Sequence, residues 1–272
     1  MSTTPRWSIP AWRASAPALP ALHELYHENS KLFPELAREL ARSFSGADDA
    51  AARLTGRAFR QYPRAEAVPL PDADVPSTAL ADVLLARRSR RELSAPIGLG
   101  DLGVLLRLAL GPSAVIEDEE GLPVQALRTW PSGGGLYPIE AYVVAQRVEG
   151  LDPGVYHFNP IAEALERLAP AGDVDAVLRD GFFWQDFLVD ASAIVVLGAV
   201  FHRTVSKYGE RGYRLVLLDA GHVGQNLVLV AELLGLPSLP ISGYCDDALG
   251  EALGLDGVDE AVVHTVALGG RP

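Results

Sequence analysis

The apolar positions change their period along the chain, and each change predicts an element. From Leu22 to Arg42, Leu22, Leu25, Tyr26, Leu32, Phe33, Leu36 and Leu40 recur at helical spacing, with a break expected near Pro34. Ala47 to Phe59 is a weaker helical candidate. Pro63, Pro69, Pro71 and Pro76 then read as a linker. Ser77 is placed to cap a helix running to about Arg88. Asp101 opens another helix through Leu110, stopped by Gly111-Pro112. Ala141–Val148, Ala193–Phe201 and Ala261–Leu268 read as buried strands, each rich in β-branched residues. Val155–Phe158 and Ala164–Leu168 form a predicted hairpin around Asn159-Pro160. A long helix fits Arg211 to Leu234, closed by Gly235 and Pro237, and a shorter one fits Asp246 to Leu253, closed by Gly254. Strands alternating with helices imply a mixed α/β or α+β class. No internal repeat is visible.

Composition narrows this picture. At 272 residues the chain fits one or two domains, and 49% hydrophobic residues supply a sizeable core. With a single Met, that core is built from Ala, Val and Leu. The 23 basic and 35 acidic residues give a net charge of −12, which argues against nucleic acid or an anionic membrane as partner. One Cys excludes a disulfide framework within the chain and any multi-Cys metal or iron–sulfur site. Pro5, Pro10, Pro17 and Pro20 interrupt the start, so no signal-peptide core is expected there. The most apolar run, Phe187 to Phe201, is shorter than the roughly 20 residues a membrane helix needs and contains Asp190. A soluble cytoplasmic protein is expected.

His23-Glu24-Leu25-Tyr26-His27 matches the zinc-protease pattern H-E-x-x-H. The pattern is short, a Pro-rich tail precedes it, and nothing selects a third ligand among acids such as Glu35 and Glu39. A surface helix with two solvated His is the stronger reading, and no metal is expected.

Four separated segments carry more chemistry. Arg87-Arg88-Ser89-Arg90-Arg91 offers charge-assisted bonds to a phosphate, or is a helix C-terminus favoured by cations. Pro131-Ser132-Gly133-Gly134-Gly135-Leu136-Tyr137-Pro138 lets the backbone approach a ligand or another chain, or is a flexible loop. Leu239-Pro240-Ile241-Ser242-Gly243-Tyr244 reads as a short loop between two helices whose N–H groups can face a planar ligand. Leu268-Gly269-Gly270-Arg271-Pro272 ends a strand in an anion-binding turn or a tail.

Taken in order, these segments resemble the flavin-dependent nitroreductase superfamily, and within it the SagB-type dehydrogenase branch. That branch comprises the azoline oxidases of thiazole- and oxazole-modified peptide biosynthesis. The resemblance covers about Ser77 to Arg271. It implies a nitroreductase-like α+β fold, three layers α/β/α, with a mixed, mainly antiparallel central sheet flanked by helices in an obligate homodimer. It implies FMN as cofactor. Arg87, Ser89 and Arg91, together with Arg88, match the phosphate and flavin-ring motif, and Arg271 matches a basic C-terminal phosphate contact. Pro131, Ser132, Gly133 and Gly134 match a flavin-facing loop at the dimer interface. Pro240, Ile241, Ser242 and Gly243 match the loop that reaches the hydride-accepting nitrogen through a backbone N–H of Ser242 or Gly243. Asp219-Ala220-Gly221-His222-Val223-Gly224-Gln225-Asn226-Leu227 is similar to the central dimer helix.

Lys207-Tyr208-Gly209-Glu210-Arg211-Gly212-Tyr213-Arg214 resembles the Lys-Tyr stretch of azoline dehydrogenases, against the alternative of a polar turn. The resemblance implies Lys207 as the base that takes a ring proton while a hydride leaves, and Tyr208 as donor, relay or ring orienter. To act as a base Lys207 must shed its own proton, which burial or a nearby cation favours; Arg203 or Arg211 can supply that cation. Tyr26-His27-Glu28-Asn29-Ser30-Lys31 is similar to an N-terminal pattern of SagB-type proteins. The expected organisation is an extension over residues 1–76 and a flavin domain over 77–272. The expected substrate is an azoline-containing peptide, presented with a cyclodehydratase complex or on a carrier protein. An NAD(P)H-dependent nitro- or quinone reductase is the alternative, and a flavin subunit without turnover is a third reading. Cys245 is expected to be a packed thiol.

Overall fold

The computed structural model describes residues 21–34, 38, 59–117, 119–120, 123–168, 174–182 and 185–271. In chain order the elements are α1 (Leu22–Asn29), β1 (Ala67–Pro69), α2 (Leu80–Ala86), β2 (Ile97–Gly98), α3 (Leu99–Leu110), β3 (Pro112–Glu117), β4 (Pro123–Arg128), β5 (Ile139–Ala145), β6 (Val148–Glu149), β7 (Gly154–Asn159), β8 (Ala164–Arg167), α4 (Val174–Gly181), α5 (Asp186–Val189), β9 (Ala193–Val200), α6 (His202–Tyr208), α7 (Arg211–Leu233), β10 (Ser238–Ile241), α8 (Asp246–Leu253) and β11 (Glu260–Leu268).

Seven strands form one sheet in the order β1-β8-β7-β5-β9-β11-β10, and every neighbouring pair runs antiparallel. The parallel pairing sits beside it, in the two-strand β2–β6 sheet and a bridge from Ser89 to Ser238. Period-two alternation splits each central strand between two apolar layers. Ala193, Val195, Leu197 and Ala199 of β9 face one core with α3 and α7, while Ile194 and Val196 face the other with α4 and α8. Both faces of the sheet are therefore covered by helix, giving the expected α+β three-layer fold.

Several boundaries differ from the sequence expectation. Helix α1 ends at Asn29, where Ser30 turns its Oγ back to the Tyr26 carbonyl (2.6 Å), four residues before the predicted break. The helical candidate 47–59 lies outside the described residues, Phe59 apart. Helix α2 starts at Leu80 rather than after Ser77, and no side chain caps it; its apolar spacing begins only there. It stops at Ala86 because Arg87 adopts an extended backbone (φ −50°, ψ 124°), so the arginine run is an extended segment and not a helix end. The expected linker contains β1, which pairs with β8 at the sheet edge. Ser238–Ile241, expected as a loop between helices, is the opposite edge strand; an edge position tolerates Pro240, whose missing N–H would break an inner ladder. Strand β5 starts at Ile139 and stops at Ala145, and Val148 belongs to β6. The β3–β4 hairpin has no counterpart in the sequence pattern, because its strands are outside the core and carry no clean alternation. Among the described residues no helix is long and apolar enough to cross a membrane.

Candidate flavin site

Between β4 and β5 the chain makes one tight turn over Gly133–Gly135. Gly134 and Gly135 sit at φ 69° and 65°, the left-handed region that lacks a penalty only for glycine. Ser132 pins the turn from below: its Oγ donates to the Asp219 carboxylate on α7 and accepts the Tyr137 N–H at 2.9 Å. Asp219 is 3% exposed. Burial pushes its carboxyl upward, and the bonds from Ser132 and the Gly133 N–H hold that shift back. The sequence reading placed Asp219 only within a helix motif; its anchoring role needed the fold. Gln125 of β4 closes the other side by donating to the Gly135 carbonyl at 2.8 Å.

Lys207 and Tyr208 end α6, where Gly209 turns the chain at φ 56°. They come together with the glycine turn. A β-carbon on Gly134 would stand 2.7 Å from the Tyr208 hydroxyl and 3.0 Å from Lys207 Nζ. The ammonium also lies 5.6 Å from the Tyr208 ring centre. Burial pushes the Tyr208 phenol upward. Both side chains are half-buried and Gly134 is exposed, so this group opens to a ligand on one side. Arg203 and Arg211, the cations expected to act on Lys207, have structural partners. Arg203 pairs with buried Glu140 and donates to the Tyr137 carbonyl at 3.1 Å. Arg211 donates to the Ser30 carbonyl at 2.9 Å.

The third motif spans most of β10 and the loop that follows it. Ile241 is buried, Ser242 is exposed, and the Gly243 carbonyl accepts from Gln185 Nε2. Burial pushes the next phenol, Tyr244, up to about 12, with Asp246 and Tyr213 adding to it. Tyr213 also meets Phe201 (centroids 5.3 Å apart) and Tyr26 of α1 (5.7 Å). Helix α1 thus packs on the start of α7, where Tyr26 donates to the Glu210 carbonyl and Arg214 sits over the Tyr26 ring.

The two basic segments meet the α7–β10 turn. The Arg90 N–H donates to the Ser238 carbonyl (3.0 Å), and its guanidinium is paired with Glu232 at 2.9 Å. Among the described residues Arg87, Arg88 and Arg91 have no carboxylate partner; Arg88 donates to the Leu85 and Arg87 carbonyls, and Arg91 lies over the Phe187 ring. Arg271 reaches the same turn through the Leu234 carbonyl (2.8 Å), and also contacts Asp101 at 3.0 Å. Arginines without carboxylate partners suit an anionic ligand, but within one chain this run meets the end of α7 at Glu232 and the start of β10 at Ser238, whereas the glycine turn is fastened to Asp219, roughly 20 Å earlier along the helix.

The other sequence signals resolve differently. Glu24 of the H-E-x-x-H segment accepts the Ala21 N–H at 2.8 Å and so caps α1, while His23 and His27 are exposed. Among the described residues no three His, Cys, Asp or Glu side chains are grouped to hold a metal. Cys245 is a half-buried free thiol before α8. A cavity of about 700 Å³ opens elsewhere, between Arg60–Ala65, Arg167 and Glu251–Gly254, and includes none of the expected site residues.

The nitroreductase family pattern matches residues 84–270. The chain belongs to the nitroreductase family. That span contains every site residue above except Arg271. MJ1384 of Methanocaldococcus jannaschii, named as a nitroreductase, is 35% identical over 181 residues, 66% of this chain and 86% of that protein. McbC of Escherichia coli, named as a microcin B17-processing protein, is 33% identical over 138 residues, 49% of this chain and 51% of McbC. A solved structure from Anabaena variabilis, described as a nitroreductase, superposes with a TM-score of 0.67 at 27% identity, covering 90% of this chain and 45% of that one. Family members thus share this fold while differing in what they are named for.

Proposed function

We propose that this nitroreductase-family protein is an FMN-dependent dehydrogenase that oxidises an azoline ring in a peptide to the thiazole or oxazole. The cofactor follows from the family, and the residues present fit it. A turn whose Gly134 φ leaves room for no side chain offers a close backbone approach, and Arg87, Arg88 and Arg91 lack carboxylate partners. With Ser89 and Arg271 these arginines would hold the phosphate; Pro131–Gly134 and Pro240–Gly243 would face the ring. Bound FMN supplies a two-electron acceptor.

The observation that carries the azoline reading is the convergence of Lys207 Nζ and the Tyr208 hydroxyl over Gly134. Aromatising an azoline removes two protons with two electrons, so the site needs a base beside the ring. Lys207 takes the ring proton and Tyr208 orients the ring or passes a proton on. A second reading, an NAD(P)H-dependent nitro- or quinone reductase, has its own support. MJ1384 is matched over most of its length, McbC over half, and taken alone these comparisons favour the reductase.

Exposed Leu217 and Leu218 on α7 and Leu80, Leu84 and Leu85 on α2 support a homodimer joined along these helices. Residues 1–76 are read as an extension whose α1 lies beside the Lys-Tyr turn. A cyclodehydratase complex or carrier protein would present the peptide. The test uses a purified azoline peptide in aerated buffer without NAD(P)H, with dioxygen as the final electron acceptor. Turnover by the wild type, lowered at least about a hundredfold in Lys207→Ala with FMN still bound, supports the azoline reading. Quinone-dependent NAD(P)H oxidation without azoline turnover selects the reductase.

A further inference from the structure

Beneath the Lys-Tyr pair lies a buried polar cluster that this chemistry does not use. Glu140 of β5 is its centre. Its Oε1 faces Arg203 Nη2 at 2.5 Å and accepts the Arg60 N–H at 2.8 Å, and its Oε2 faces His157 Nε2 at 3.0 Å. The other ring nitrogen of His157 faces Glu166 at 2.9 Å, and Glu166 also accepts from Asn159 and from the Tyr62 N–H. Both imidazole nitrogens thus face carboxylates, a geometry that the doubly protonated ring satisfies with two donated bonds. The half-buried Arg128 guanidinium lies over the Trp130 and Tyr137 rings, and burial lowers its pKa while Glu140 works against that.

Arg203 is the one member of this cluster on α6, one helical turn before Lys207. It holds two things at once. One guanidinium nitrogen is fixed on Glu140, and another donates to the Tyr137 carbonyl at 3.1 Å. Tyr137 follows the glycine turn at a left-handed φ of 43°. A single guanidinium therefore joins the helix that carries Lys207 and Tyr208 to the loop that carries Gly134. We infer that Arg203 and Glu140 are a positioning pair, setting the placement of Lys207 and Tyr208 over Gly134. Their effect on turnover rests on the azoline reading, whereas their effect on geometry does not.

The chain has two lysines, Lys31 and Lys207. Reductive ¹³C-methylation of the FMN-loaded protein therefore gives a readable Lys207 resonance, assigned by its loss in Lys207→Arg, with Lys31 as internal reference. In Arg203→Met and in the milder Glu140→Gln, the Lys207 resonance and its pH titration should move while those of Lys31 stay. On an azoline peptide kcat should fall roughly tenfold to a hundredfold, with KM changing less than about threefold. In a Lys207→Ala background the same substitutions should cost less than about twofold more, because they act through that residue. An unmoved Lys207 resonance in the variants that fold overturns the pair, whatever the turnover. A displaced resonance in a protein that does not oxidise azolines keeps the pair and removes the proposed reaction.

Discussion

Ser132 Oγ donates to the Asp219 carboxylate, so the glycine turn is fastened to the middle of the longest helix described in the chain. Asp219→Ala leaves Ser132 without its acceptor, and should lower stability by about 1–3 kcal/mol and weaken FMN retention. Asp219→Asn keeps an acceptor oxygen and should cost less. Thermal unfolding with flavin release measured in the same sample checks both.

Gly134→Ala should separate function from stability. The strain of a left-handed alanine costs about 1–2 kcal/mol wherever the turn lies. The added methyl, however, displaces the Tyr208 hydroxyl or Lys207 Nζ. Turnover should fall by at least about tenfold while the melting temperature drops by only about 2–8 °C, as paired kinetics and calorimetry would show.

On α7 the imidazole of His264 rests against Gly224, where a β-carbon would stand 2.7 Å and 2.8 Å from ring atoms. Gly224→Ala should destabilise by about 1–3 kcal/mol through overpacking. Gly221 has open space beside it within the chain, so Gly221→Ala should be neutral or stabilising by up to about 1 kcal/mol unless its face of α7 is the proposed homodimer contact, in which case it weakens the dimer. Denaturant midpoints of the two variants give the contrast.

Burial works against the charged form of Glu140, but His157 and Arg203 outweigh it and hold the carboxyl down to about 2, against 4.5 for a free glutamate. A depressed carboxyl stabilises the fold fully above its unfolded value. That stability, on the order of 3 kcal/mol, is lost as pH falls from about 4.5 towards 2. Glu140→Gln should be less stable at neutral pH and should lose this part of the acid dependence. Unfolding free energies measured from pH 6 down to pH 3 decide it.

The central strands were legible because β9 and β11 carry near-continuous apolar runs, and α7 because its buried positions repeat over 23 residues. Prolines misled the reading at both sheet edges. Pro69 and Pro240 mark breaks in a linear scan, yet an edge strand needs fewer donors than an inner one. The motif residues were legible as segments, but their meeting was not. Gly134, Lys207 and Tyr208 are separated by over seventy positions and join only when β5 and β9 pair. The Glu140–His157–Glu166 cluster has no local signal, since its members lie on three strands and meet only when β5, β7 and β8 pair.

The backbone N–H groups of Arg60 and Tyr62 end on Glu140 and Glu166, two carboxylates sealed inside the sheet. An N-terminally shortened gene product starting at residue 77 would lose these donors, the Arg60–Glu260 pair and strand β1 together. Residues 60–69 are thus stitched into the sheet they precede, and a cut at residue 77 should leave two buried carboxylates short of donors.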